Sequence, residues 1–95
     1  MARVRLVCPD LLFGSKVEGA LRAAGHEVAR SGDADVAVVD LTQGEVPEPP
    51  LHPALGFYSH VEQDVRRKAE ELGYDLVVPR SRMNREGAAL VEGLL

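Results

Sequence analysis

Four short apolar runs in this chain each stop at residues able to do chemistry. VRLVC (4–8) ends in Cys8, followed by Pro9 and Asp10. VAVV (36–39) stops at Asp40. ALGFY (54–58) ends in Tyr58, followed by Ser59 and His60. DLVV (75–78) stops at Pro79, with Arg80 and Ser81 behind it. Brought together, these groups would offer two chemistries. Carboxylate oxygens are hard ligands of the kind Mg²⁺ prefers. A guanidinium donates in a rigid fork that suits phosphate or carboxylate. Each residue also has a plainer reading. Asp40 can cap the loop that follows a strand. Asp10 can cap the N-terminus of a helix. Ser59 and Glu62 have the spacing of a capping box. His60 would be a first-turn histidine titrating near neutrality. Arg80, Arg82 and Arg85 form either a solvated charge group or a contact for a partner or phosphate.

The apolar runs are the elements that must position these groups. Runs without polar alternation suit parallel strands buried on both faces. HEVAR (26–30) is a further, weaker strand. Helical patterns alternate with the strands. Val17, Ala20, Leu21 and Ala24 share one helix face, and Gly25 closes that helix. A second helix starts at Ser59, with Val61, Val65, Ala69 and Leu72 on one side and Gly73 as its stop. A third runs from about Asn84 to Leu95, with Leu90, Val91 and Leu94 together. The order is β-α-β-β-loop-β-α-β-α. It predicts an α/β three-layer, flavodoxin-like fold with a mainly parallel sheet of about five strands, in one domain spanning 1–95. Two connections lack a helix. Between the second and third strands lie only Ser31, Gly32, Asp33, Ala34 and Asp35. That link is either a very tight crossover or an antiparallel hairpin. TQGEVPEPPLHP (42–53) contains four prolines and cannot form a regular helix, but an extended path of that length can return to the start of the next strand.

In open α/β sheets, ligands sit beyond the carboxyl ends of the strands. LVCPDLLFGSKVEGALRAAGHEV, ADVAVVDL, LGFYSH and AEELGYDLVVPRS, taken in order, resemble the receiver domain of two-component response regulators. The resemblance covers nearly the whole chain, minus the second and third helices of that fold. It implies that Asp40 holds the phosphoacceptor position, and Asp10 one of the acidic Mg²⁺ positions beside Asp40. The hydroxyl position falls on Tyr58 or Ser59, with His60 next to it. The lysine position falls on Pro79, and Arg80 is a cation displaced by one residue. One metal acid and the lysine are therefore missing. The resemblance then implies a shortened pseudo-receiver: a signalling or protein-interaction module, not an enzyme, with weak or no phosphorylation at Asp40. No resident cofactor is expected; Mg²⁺ is the one ion the resemblance admits. Cys8 supports an alternative. A cysteine ending the first strand resembles the phosphocysteine loop of sugar-phosphotransferase IIB domains, which would make the chain a phosphotransfer enzyme. PDLLFGSK lacks the small residues with which such a loop cradles phosphate, so a buried thiol is the plain reading. A small-molecule binding module at the same mouth is a third reading.

Composition narrows the partners. The formal charge is −4 and the pI about 5.3, which argues against a nucleic-acid surface. Arg66, Arg67 and Lys68 alternate with acids as a surface stripe. No apolar run approaches the roughly 20 residues of a membrane span. MARVRLVCPD has no signal-peptide core, so a cytoplasmic protein is expected. The single cysteine excludes an internal disulfide, and His26, His52 and His60 lack zinc-ligand spacing. A protein partner is expected. So is a homodimer, because three helices leave part of a two-faced sheet uncovered.

Overall fold

The computed structural model describes residues 2–59 and 62–95; His60 and Val61 lie outside the described residues. A strand covered on both faces must be apolar along its length, and the strands Val36–Asp40 and Ala54–Tyr58 obey this as far as Asp40, the last residue of the former. The elements are β1 (Arg3–Val7), α1 (Leu11–Ala23), β2 (Glu27–Ala29), β3 (Val36–Asp40), β4 (Ala54–Tyr58), α2 (Gln63–Glu71), β5 (Leu76–Pro79) and α3 (Arg80–Leu94). All residues of β3 and β4 are buried. The strands form one five-stranded sheet in the order β2-β1-β3-β4-β5. Every pairing is parallel. This is the strand order of flavodoxin-like sheets, so the expected fold class holds.

The short link between β2 and β3 is a crossover, not a hairpin. β2 and β3 both pair with β1 and do not touch as neighbours. A helix is unnecessary because β2 is so short. Its last pair sets Ala29 opposite Arg5, while β3 begins with Val36 opposite Val4. Residues 30–35 step back by one residue, roughly 3.3 Å, and sideways by two strand spacings, roughly 9.6 Å. An extended link of that length reaches roughly 20 Å. Gly32 turns the chain at φ 83°, where a side chain would be strained. Asp35 then locks the link to β1: its N–H donates to the Arg3 carbonyl, and its Oδ2 accepts from the Arg3 N–H, both at 2.8 Å.

Helices α1 and α3 cover one face of the sheet. Phe13, Val17, Leu21, Met83 and Val91 pack there on Val4, Leu6, Val36, Val38, Leu55, Phe57 and Val78. The other face holds Ala37, Val39, Ala54, Tyr58 and Val77, covered by Ala69 of α2, by Leu41 and by Val46 and Leu51 of the proline-rich loop. That loop takes the place of a helix. Its ends are pinned where the Leu41 N–H meets the Phe57 carbonyl and the Ala37 N–H meets the Pro53 carbonyl. On this face, among the described residues, no helix lies over β1 and β2. Arg3 and Glu27 are exposed there, and Arg5, Val7 and Ala29 are half-buried.

Helix placement differs from expectation in three details. The buried stripe of α1 is Phe13, Gly14, Val17 and Leu21, while Ala20 and Ala24 are exposed. Turning Phe13 inward buries far more apolar area than two alanines would. Helix α2 starts at Gln63 instead of Ser59, because the Glu62 N–H closes a turn onto the Ser59 carbonyl and Glu62 takes the N-cap position. Helix α3 starts at Arg80 instead of near Asn84. Pro79, at φ −64° and ψ 150°, ends the strand and serves as the N-cap at once, so no loop intervenes. Met83 and Gly87 then join Val91 on the buried side. Among the described residues, no helix is long and apolar enough to cross a membrane.

Candidate functional site

The carboxyl ends of β1, β3, β4 and β5 open on one mouth between α1 and α3. An open cleft of about 440 Å³ lies there, lined by Phe13, Lys16, Thr42, Ser59, Arg80, Ser81 and Asn84. The residues around it are held by three linked arrangements.

The first is built on Asp10. Its Oδ1 accepts the N–H groups of Leu12 and Phe13, each at 3.1 Å, and so caps α1. Its Oδ2 accepts from Arg80 Nη2 at 2.9 Å. The Phe13 N–H, and then the Arg80 guanidinium, hold the Asp10 carboxyl below the usual carboxylate range. The guanidinium carbon lies 4.3 Å from the centre of the Phe13 ring, a cation–π contact. Phe13 itself packs on Phe57 at 5.1 Å between ring centres. Arg80 is therefore fixed between an aromatic floor and a carboxylate.

The second is built on Asp40, which is 5% exposed. Its Oδ1 accepts from the Thr42 N–H at 2.8 Å and the Thr42 hydroxyl at 2.6 Å. Its Oδ2 accepts from Gln43 Nε2 at 3.3 Å and from the Cys8 thiol at 3.6 Å. Both oxygens are engaged by the chain's own loop and by β1's last side chain. A buried carboxylate is tolerable only when so satisfied.

The third is Cys8, 6% exposed. Its Sγ also lies 3.5 Å from the Asp10 carbonyl oxygen. Burial, reinforced by the charge of Asp40, pushes the thiol pKa up to about 11. The thiol is thus a protonated donor at neutral pH, whereas the thiolate is the nucleophile. Gly14 packs directly on it: a Cβ there would sit 3.5 Å from Cys8 Sγ. The sulfur has an apolar helix against it, not a nest of free N–H groups.

Of the expected site residues, Asp10, Asp40, Ser59 and Arg80 gather at the mouth. Tyr58 does not; its side chain is buried in the cluster on the opposite face. His60 lies outside the described residues. Mg²⁺ does not suit the donors as they stand. Asp10 is bonded to a helix terminus and a guanidinium, and Asp40 has both oxygens occupied by donors. Among the described residues, no group of three or more His, Cys, Asp and Glu side chains is placed to hold a metal. The sequence reading placed Ser81 at the end of the last strand but missed Lys16, Thr42, Gln43 and Asn84. Thr42 and Gln43 follow Asp40 directly, a signal for side chains folding back onto an acid. Asn84 lies one helical turn after Arg80, a signal that becomes visible only once α3 is known to start at Arg80.

Comparison of the chain with protein-family models, with curated proteins and with solved structures returns no match.

Proposed function

We propose that this chain is a signalling module of the pseudo-receiver type that acts by binding a protein partner and does not phosphorylate Asp40. One observation carries the reading: Arg80 is locked onto Asp10 while both oxygens of Asp40 are engaged. Phosphoryl transfer to a carboxylate needs an accessible oxygen and cations able to offset the transferred charge. Here the acceptor is closed, and the one cation at the end of β5 is tied to the acid that would bind metal. What is left is a rigid scaffold with a polar cleft, which suits recognition. The buried, protonated Cys8 speaks against the phosphocysteine alternative.

The test is Mg²⁺ with acetyl phosphate or beryllofluoride, followed by NMR and intact-mass measurement. Resonances of residues 40–43 should stay in place and no adduct should form. A Mg²⁺-dependent shift centred on Asp40, or an adduct absent from Asp40→Asn, would overturn the proposal.

Self-association has its own motive in the uncovered face of β1 and β2. Arg3 and Glu27 face each other in register there, beside Arg5, whose Nε is buried and lacks a partner among the described residues. A two-fold axis over this patch would pair each copy's arginines with the other's Glu27. Light scattering should then give a dimer mass; a monomer mass at high micromolar concentration would end this part of the reading.

A further inference from the structure

The proline-rich loop between β3 and β4 contains Pro47, Pro49, Pro50 and Pro53, and the fold holds it at three points. At its start Thr42 and Gln43 bond back to Asp40. At its end Asp75 Oδ2 accepts from the Ala54 N–H at 2.8 Å and lies 3.0 Å from His52 Nδ1. In the middle, the Tyr74 hydroxyl donates to the Pro47 carbonyl at 2.9 Å. A proline fixes its own φ at about −65° and pushes the residue before it to extended backbone. Every residue from Val46 to Pro50 is a proline or precedes one, so polyproline II suits the whole run. Burial follows the three-residue period of that helix. Val46 and Pro49 are half-buried, while Pro47 and Pro50 are exposed. Val46 and Leu51 pack against the core. The inward positions thus do the covering, and the rings of Pro47 and Pro50 stay outside. At about 3.1 Å per residue, those two stand roughly 9.3 Å apart along the ridge. Glu45 and Glu48 are exposed beside them, and no lysine or arginine occurs between Arg30 and Arg66. The ridge is apolar with an acidic flank.

We propose that this ridge is a docking element for a partner domain with an aromatic-lined groove that reads polyproline II, Pro47 and Pro50 being the inserted rings and a basic residue of the groove meeting Glu48. This rests on the protein-binding reading above and specifies which surface is bound and by what kind of partner. The partner follows from the chemistry of the ridge. Prolines offer apolar rings and backbone carbonyls but no N–H. Aromatic side chains tipped with donors, tyrosine and tryptophan, match both features. Binding a loop normally costs the ordering of that loop. Here the order exists beforehand, because prolines restrict the backbone and the Tyr74 and Asp75 contacts pin it. Covering the sheet uses positions 46, 49 and 51; it makes no use of the rings at 47 and 50.

The test is NMR titration of the isotope-labelled intact chain with a panel of SH3 and WW domains whose grooves carry a lysine or arginine beside the aromatics. Saturable shifts should centre on residues 45–52. Pro47→Ala and Pro50→Ala should each weaken binding about tenfold while leaving the amide spectrum outside the loop unchanged. Glu48→Lys should weaken it as well. Tyr74→Phe keeps every proline but frees the loop, so it should weaken binding by a smaller factor. Three results would overturn the inference: no shift in the loop with any domain of the panel at millimolar concentration, binding that neither proline variant weakens, or a free peptide of residues 43–53 that binds at least as tightly as the folded chain. The last would show that the fold hides the ridge instead of presenting it. Failure here leaves the closed Asp40 untouched. Phosphorylation of Asp40 would sink the wider reading without altering the titration.

Discussion

Alkylation of Cys8 is the sharpest check on the site, because the structure sets its size. The thiol pKa stands at about 11 against an ordinary 9.0. Iodoacetamide reacts with the thiolate. At pH 7.5 a thiol of pKa 9.0 is about 3% ionised, and one of pKa 11 about 0.03%. Ionisation alone should slow alkylation about 100-fold relative to the same protein unfolded in guanidinium. The 6% exposure of Cys8 slows it further. Intact-mass spectrometry over a time course reads the ratio directly. Asp40→Asn removes the negative charge that helps raise the pKa, so alkylation should speed up. It should not reach the unfolded rate, because burial, the largest cause, remains. Folded and unfolded rates within a factor of about three would refute the account and bring back a reactive Cys8. A rate slowed by Asp40→Asn would show that the coupling between the two side chains has been given the wrong sign.

Other perturbations follow from the same contacts. Gly56→Ala would place a Cβ 2.5 Å from Leu41 Cδ1 and 3.2 Å from the Tyr74 ring. Leu41 is fully buried, so overpacking should cost about 1–3 kcal/mol, and Tm should fall by about 4–8 °C per kcal/mol; an unchanged melting curve would contradict the packing of β4. Arg80→Ala removes an ion pair that is partly solvated, so the melting temperature should move only slightly. The same variant should raise the Asp10 pKa, measurable by carboxyl NMR, and an unmoved titration would show the pair to be incidental. Asp10 and Asp75 have carboxyls held below their ordinary range, Asp10 chiefly by the Phe13 N–H and Asp75 chiefly by His52. The unfolded chain then takes up these protons first, so their contribution is complete above the unfolded pKa and is lost as pH falls through the folded one. Tm should therefore decline below about pH 4, and Asp75→Asn should flatten part of that decline.

The unbroken apolar runs made the strands readable, because a parallel strand under two layers tolerates no polar face. The start of α1 was equally readable, since an aspartate before an apolar helical stripe meets a local need for N-cap acceptors, and Asp10 meets it. The start of α3 was not. Arg80, Ser81 and Arg82 look like a polar loop, and only Met83 packing into the core shows that the helix already runs through them. Tyr58 and Ser59 were equally eligible for the mouth until the sheet register sent one to each side.

What the sequence by itself determined is local: which segments are strands or helices, where the proline-rich stretch forbids a helix, and which chemical groups stand at strand ends. These follow from periodicity, φ restriction and capping, which act over a few residues. What the tertiary structure decided is which distant groups meet. Placing β1 between β2 and β3 follows from a three-residue strand that needs only a short step back. Asp10 meets Arg80 across 70 positions, and Cys8 meets Asp40 across 32. No local preference encodes such pairs. They exist because parallel stacking brings the strand ends to one edge, where buried charges must find donors. That requirement ties up Asp10 and Asp40 and leaves Lys16 facing outward.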